Sequence, residues 1–144
     1  MSYQAIETLI PHRGPMLLID AVLASSADDI VCGARIREGN LFLRDGKLRT
    51  VVCLEYMAQA VAAFAGLQAR QPGPPRVGYL IAANRVTLSA ARLALGDELR
   101  ISAKRIWGDS ALGKFECSVA RLECSIAQAT VSVYQPPIAA GAPA

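Results

Sequence analysis

Hydrophobic and polar positions change their spacing partway along this chain. Residues 51–70 are apolar almost without interruption and rich in good helix formers, which predicts one long helix ended by the stretch Gln-Pro-Gly-Pro-Pro. After this stop, apolar and polar residues alternate, and a period of two is typical of strands with one dry face and one wet face. The predicted strands are 77–83, 99–107, 114–120 and 123–134, with a hairpin loop at 108–110.

The first fifty residues give shorter signals. The first ten predict a short helix that buries Ile6, Leu9 and Ile10 and ends at Pro11. Two prolines and a glycine in 11–16 predict a rigid, irregular loop. Strands are predicted over 16–23 and 30–36, followed by a loop over 38–49 with a tight turn at Asp45-Gly46.

The order of these elements indicates the fold class. A helix that is apolar nearly all round must be surrounded, and one antiparallel sheet can wrap it while a second copy of the chain closes the remaining side. We therefore predict an α+β fold, a sheet wrapped round one long central helix, in a dimer. Residues 1–134 are interpreted as a single domain and 135–144 as a disordered tail of low complexity.

Composition narrows the function classes. The 144 residues are 53% hydrophobic with a net charge of +3, and no basic run is interleaved with aromatics, which argues against nucleic-acid binding. The four cysteines lack the close spacing of a metal site, and we expect them to be buried thiols in a reducing compartment. The apolar run 51–67 contains Glu55 and Gln59, so we expect no membrane span and, with no leader-like start, a soluble cytoplasmic protein.

Glu55 is the only charged residue in the apolar helix 51–69, and Gln59 follows one turn later on the same face. Burying a carboxylate costs on the order of several kcal/mol unless it is paired with an opposite charge or neutralised by a proton. A carboxyl group in a dry cavity can keep its proton and act as a general acid. The alternative is a partly solvated glutamate that the helix dipole favours near the helix start.

His12 is the sole histidine, in the rigid loop between Pro11 and Arg13. It is the residue whose ordinary pKa best suits a general base at neutral pH, although a lone loop histidine is often a spectator. Arg13 and Asp20 could form a local ion pair.

Two motifs resemble the 3-hydroxyacyl-ACP dehydratases of fatty-acid synthesis. L-I-P-H-R-G-P-M-L-L-I-D, residues 9–20, is similar to the N-terminal signature of that family, and L-E-Y-M-A-Q-A, residues 54–60, to its central-helix signature. Gly96-Asp97 is similar to a turn that opens a late strand. The resemblance implies a hot-dog fold, a dimer with sites at the interface, and acyl groups on acyl carrier protein. It also implies that Glu55 handles the leaving hydroxyl while a histidine of the partner subunit takes the α-proton.

The chain departs from that pattern at the base. The family histidine lies fourteen residues before the acid in H-F-P-G, where this sequence has Leu41-Phe42-Leu43-Arg44. The Pro-Gly before the helix is replaced by Arg49-Thr50. Asn40-Leu41-Phe42 fits better the divergent dehydratase-like branch of aryl-polyene pathways. By elimination, His12 becomes the candidate base.

The resulting hypothesis is dehydration of 3-hydroxyacyl thioesters to trans-2-enoyl thioesters, without a cofactor or metal. Its catalytic residues are His12 and Glu55, and the residues assigned to substrate binding are Arg13, Gln59, Thr50, Val51 and Phe42. Backbone N–H groups around 50–52 would polarise the thioester carbonyl. The expected partners are acyl carrier protein and a second subunit, identical or paralogous. Two alternatives stay open: a catalytically weak accessory or acyl-binding subunit, and an acyl thioesterase.

Overall fold

The computed structural model describes residues 3–69, 73–89, 91–109 and 111–136. One α-helix and eight strands are found among them, with 3-10 turns at Ile6–Thr8, Gly14–Met16 and Thr50–Val52. In chain order the elements are β1 (Ala21–Ser25), β2 (Asp29–Arg35), β3 (Lys47–Leu48), α1 (Cys53–Gln68), β4 (Tyr79–Leu88), β5 (Leu93–Ala94), β6 (Glu98–Gly108), β7 (Leu112–Arg121) and β8 (Cys124–Tyr134).

A six-stranded antiparallel sheet carries the helix. Its strand order is β1-β2-β6-β7-β8-β4, and β3 and β5 form a separate two-stranded ladder. Helix α1 packs across one face of the sheet against β2, β6, β7 and β8. This architecture confirms the predicted α+β fold with a sheet wrapped round one central helix.

The alternation along β6 produces the two faces that the sequence predicts. Leu99, Ile101 and Ala103 are buried beneath the helix, whereas Arg100 and Lys104 are exposed on the opposite face. Beyond residue 104 both faces of β6 are exposed, so this end of the strand extends past the helix. The core is therefore confined to the part of the sheet that α1 covers.

The first half of the chain differs from the prediction in its boundaries. Ile6, Leu9 and Ile10 are buried as expected, but only Ile6–Thr8 is helical, as a 3-10 turn. The strand predicted over 16–23 is wrong at its start, because 14–16 form a 3-10 turn and β1 begins at Ala21. The tight turn at Asp45-Gly46 is present, and Arg44 pairs with Lys47 across it.

Helix α1 is shorter at both ends than predicted, since residues 50–52 form a 3-10 turn and the helix ends at Gln68. By length and hydropathy, 50–68 would suit a membrane span, but half of that window is buried inside the fold. It is the core helix of the domain. Residue 70 of the predicted helix, residues 71–72 of the predicted stop and residues 137–144 of the predicted tail lie outside the described residues.

Strand β4 forms one edge of the sheet and is longer than predicted. Two bulges interrupt its pairing with β8, the second at Asn84–Thr87, where Arg85 has a φ of 53°. Apolar side chains are exposed along the whole strand: Tyr79, Leu80, Ile81, Val86 and Leu88. An exposed apolar edge with free backbone groups is the type of surface on which a further strand can pair.

The cysteines follow the prediction with one exception. All four thiols are free; Cys32, Cys53 and Cys117 are buried, and burial raises the pKa of each to about 12. Such thiols are inert packing groups. Cys124, at the start of β8, is exposed, so the prediction that all four are buried is wrong for this residue.

Candidate active site

Glu55 lies in the first turn of the central helix α1. The helix begins at Cys53, directly after the 3-10 turn, and no side chain caps the start of either segment. The Glu55 side chain is 31% exposed. It is therefore less enclosed than a carboxylate sunk in an apolar core, and solvent or a ligand can reach it.

The segment before β1 crosses the helix and is held there by backbone contacts. At Gly66, a Cβ atom would stand 2.4 Å from the Leu9 carbonyl oxygen, so only glycine permits this approach. The Arg13 guanidinium donates to the carbonyls of Glu7, Ile10 and His12 at 2.7–2.8 Å. Arg13 thus fixes the shape of the loop, and its donors point to the backbone instead of forming the predicted pair with Asp20.

The Asp20 carboxylate has other partners. It accepts a hydrogen bond from the Arg35 backbone N–H at 2.7 Å and lies 3.4 Å from the Arg37 guanidinium. Arg13 is also among the residues predicted to bind substrate. Its three hydrogen bonds go to the loop backbone, and a role in substrate binding stays a prediction.

Gln59 is fully buried and bridges the loop to the helix acid. Its Oε1 accepts from the backbone N–H groups of Leu18 and Ile19, at 2.9 and 3.3 Å. Its Nε2 donates to the Met16 carbonyl at 2.6 Å and to Glu55 Oε1 at 3.0 Å. All of its bonding capacity is used within the protein, so the side chain assigned to substrate binding has no free group for a ligand.

His12 and Glu55 meet at the end of this loop. His12 Nε2 lies 3.6 Å from Glu55 Oε1, and both residues are partly exposed. Burial lowers the pKa of His12 and is the largest effect on it; the Glu55 charge raises the pKa, and the Arg13 charge lowers it. His12 Nδ1 is buried and has no hydrogen-bond partner among the described residues. The imidazole therefore favours its neutral form and directs Nε2 towards the acid.

The other residues assigned to substrate binding lie at different depths. Thr50 is buried and its hydroxyl donates to the Ser89 carbonyl at 2.8 Å, whereas Val51 is half exposed. Phe42 is partly buried against the core, and its N–H donates to Asn40 Oδ1. Of the predicted set, Val51 is the residue that opens to solvent beside the helix start.

Leu41 occupies the position where the resemblance expects a histidine, and it is exposed. Its neighbour Asn40 donates to the Tyr56 hydroxyl at 3.2 Å, which ties the loop to the helix one residue after Glu55. Burial raises the pKa of Tyr56 to about 12, so this phenol stays protonated. Tyr56 has no signal in the sequence that marks it as a site residue, because an isolated tyrosine in an apolar helix looks like an ordinary core residue.

A cavity of about 420 Å³ opens at the start of the helix, one turn before Glu55. Its lining residues come from the turn before α1 and from the segment after β4: Arg49, Thr50, Val51, Leu88, Ser89, Ala91 and Arg92. Neither His12 nor Glu55 belongs to this lining. Sequence reasoning missed Arg49 and Arg92 as a pair, because only the fold brings the two segments together.

Comparison with known proteins identifies the family of this chain. The family model described as ApeP-like, ApeP dehydratase, matches residues 4–142. The 3-hydroxyacyl-acyl-carrier-protein dehydratase FabZ of Brucella ovis is 30% identical over 79% of this chain and 75% of its own length. The FabZ of Psychrobacter arcticus is 26% identical over 83% of this chain and 86% of its own length.

Solved structures share the fold. A chain of the dehydratase heterocomplex ApeI:P from Xenorhabdus doucetiae superposes with a TM-score of 0.87 at 24% identity, covering 94% of this chain and 93% of that chain. A hypothetical thioesterase with coenzyme A from Streptococcus pneumoniae gives a TM-score of 0.61 at 10% identity, covering 81% of this chain and 84% of that chain. Both likenesses concern the fold alone.

Proposed function

Because this chain belongs to the ApeP-like dehydratase family and is related to the 3-hydroxyacyl-ACP dehydratases, we propose that His12 and Glu55 of a single subunit catalyse the dehydration of a 3-hydroxyacyl thioester. The substrate is a 3-hydroxyacyl thioester on acyl carrier protein, and the product is the trans-2-enoyl thioester. The observation that carries the proposal is the 3.6 Å approach of His12 Nε2 to Glu55 Oε1.

The two groups suit the two halves of the elimination. Neutral His12 takes a proton from the carbon next to the thioester carbonyl, and that electron pair forms the new double bond as the C–O bond at carbon 3 breaks. Protonated Glu55 gives its proton to the departing hydroxyl, which leaves as water. His12 then gives its proton to water and Glu55 takes a proton from water, so both groups return to their starting state without a cofactor.

The start of the helix can hold the thioester. The half-exposed Val51 lies between the cavity and Glu55, and its N–H belongs to a first turn that no side chain caps. A backbone N–H at a helix start stabilises the negative charge that develops on a carbonyl oxygen. Thr50 contributes through its bond to Ser89, which joins this turn to the segment after β4.

The cavity rim suits an acidic carrier. Arg49 and Arg92 both line it, and neither forms a salt bridge within the described ranges 3–69, 73–89, 91–109 and 111–136. Two unpaired guanidinium groups beside an opening attract an anionic partner and bind phosphate well. The four free thiols agree with a reducing compartment, the cytoplasm.

A second subunit pairs along β4 in this proposal. The edge strand exposes apolar side chains on both faces. Pairing with another β4 would satisfy its free backbone groups and cover those side chains. The partner can be a second copy of this chain or a paralogue, and a mixed-subunit experiment distinguishes the two.

An accessory role is the second candidate, and Leu41 is the observation in its favour. This exposed leucine occupies the position of the family histidine. If His12 does not act as a base, this subunit lacks one and depends on a dehydratase paralogue. The purified chain would then be inactive by itself, even though it contains Glu55.

The test uses purified chain with a 3-hydroxyacyl group on acyl carrier protein, and measures enoyl thioester and free thiol separately. The expected result is enoyl product, with kcat lowered at least about a hundredfold in Glu55→Gln. Glu116→Gln is the matched control, since Glu116 is exposed on β7 and forms none of the observed salt bridges. Free thiol without enoyl product would instead identify a thioesterase, and full activity of Glu55→Gln would refute the assignment.

A further inference from the structure

The Gln59 amide has only one possible orientation. Its Oε1 faces two backbone N–H groups, which can only donate, and its Nε2 faces the Met16 carbonyl, which can only accept. A flipped amide would oppose donors to donors and an acceptor to an acceptor. The remaining Nε2 proton therefore points at Glu55 Oε1.

This bond makes the two oxygens of Glu55 unequal. Oε1 accepts from Gln59 at 3.0 Å and is also the oxygen nearest to His12. A proton on Oε1 would confront the Gln59 N–H, whereas Oε2 forms no hydrogen bond with the described part of the chain. Oε2 is thus the oxygen on which a proton can reside and which remains available to another molecule.

We propose that Gln59 is a positioning residue that keeps Glu55 Oε1 as a permanent acceptor and so presents the catalytic proton on Oε2. The inference rests on the proposed function and deepens it. The same amide secures Met16, Leu18 and Ile19, the segment that follows the His12 loop, so one buried side chain sets both the acid and the path of the base.

The first experiment compares Gln59→Glu with Gln68→Glu in the full chain, using the enoyl-forming assay across pH. Gln59→Glu keeps the acceptors for Leu18 and Ile19 but removes the donors to Glu55 Oε1 and to the Met16 carbonyl, and it adds a carboxyl group. Gln68 lies on the same helix and is exposed, so it gives the same chemical change without the contact. We expect kcat to fall at least about tenfold in Gln59→Glu, with KM changed less than about threefold. The pH dependence of kcat should also shift in this variant. Gln68→Glu should match the unaltered protein in both respects.

A purely structural role would give a different result. Kcat would then fall only in proportion to the fraction of unfolded protein, measured by near-ultraviolet circular dichroism, and the pH limb would stay in place. The charged groups near this carboxylate are His12 and, through its influence on His12, Arg13. Both are unchanged in the variants, but Gln59→Glu adds a carboxyl group beside Glu55. Gln59→Met removes the same donor without adding a charge, so it must shift the limb as well if the shift reports the lost bond.

A second measurement needs neither turnover nor a Gln59 variant. In nitrogen-15 spectra, the Gln59 side-chain amide should exchange slowly with solvent and shift with pH, and Glu55→Gln should remove this shift while Glu116→Gln keeps it. An amide that exchanges fast or does not respond to pH overturns the inference. Normal kinetics of Gln59→Glu beside an inactive Glu55→Gln would refute the positioning role alone, whereas an active Glu55→Gln would refute the proposed function.

Discussion

His12 Nε2 and Glu55 Oε1 stand 3.6 Å apart within one chain. The resemblance to 3-hydroxyacyl-ACP dehydratases implies an acid and a base from two subunits, whereas the two proposed catalytic groups lie together in one subunit here. The loop that carries His12 is fixed by Arg13 and by the close approach of Leu9 to Gly66. Substitutions at the two catalytic candidates, at the loop contact and at the sheet edge can each test one part of this arrangement.

Replacing His12 with alanine should remove the base. We expect kcat for enoyl formation to fall by roughly 10² to 10⁴, the usual effect of losing a general base, with little change in KM. The Arg13 bonds run to backbone carbonyls, so they survive the substitution and the loop should keep its shape. Activity within about threefold of the unaltered chain would show that His12 is a spectator and favour the accessory role.

The pH dependence follows from the lowered pKa of His12. Because burial holds the folded-state pKa below the usual value of 6.5, the unfolded chain binds more protons between the two values. Stability attributable to His12 is therefore complete above about 6.5 and is lost as the pH falls below it. Melting temperature measured from about pH 8 downwards should decline more steeply for the unaltered chain than for His12→Gln, and equal slopes would contradict the assignment.

Gly66→Ala should destabilise the fold, because the new Cβ would meet the Leu9 carbonyl oxygen at 2.4 Å and Leu9 Cα at 2.9 Å. Overpacking of this kind costs about 1–3 kcal/mol, so we expect the melting temperature to fall by roughly 5–10 °C. Gly78→Ala is the matched control, since its nearest heavy atom would be 3.6 Å away. Equal melting temperatures of Gly66→Ala and Gly78→Ala would show that the segment containing Leu9 is not packed tightly against the helix.

Ile81→Lys should weaken self-association if β4 is the pairing edge. A lysine in the middle of an apolar edge strand opposes pairing by charge and hydration. Light scattering after size exclusion should show a dimer for the unaltered chain and a monomer for Ile81→Lys. Leu122→Lys provides the same change at an exposed apolar residue in the β7–β8 turn and should remain dimeric. A monomeric unaltered chain would instead indicate a paralogous partner.

The sequence predicts the helix and the late strands well, because each depends on a long, regular pattern. Prediction from the sequence fails where a distant side chain, instead of a neighbouring strand, forms the hydrogen bonds of the backbone. Residues 16–20 look like a strand, but Gln59 satisfies the backbone of Leu18 and Ile19, so no neighbouring strand is needed there. Strand β4 continues through a bulge at Arg85, which interrupts the alternation on which the prediction depended.

The spacing of residues along the chain does not determine that His12 lies beside Glu55, although elimination makes His12 the candidate base. The placement depends on a glycine in the last part of the helix and on an arginine that closes the loop, and neither has a local signature. The Arg49 and Arg92 pair was missed for the same reason, since the two segments meet only through the folded sheet and helix.

The proposed location of the acid and the base on one polypeptide also determines how inactivating substitutions in the two subunits of a dimer combine. If each subunit is catalytically self-sufficient, mixing His12→Ala protein with Glu55→Gln protein cannot regenerate a working centre, whatever dimers form. A dimer of one intact and one disabled subunit should keep about half of the turnover. In enzymes whose centres are divided between subunits, such mixtures complement each other, so genetic complementation is expected to fail here.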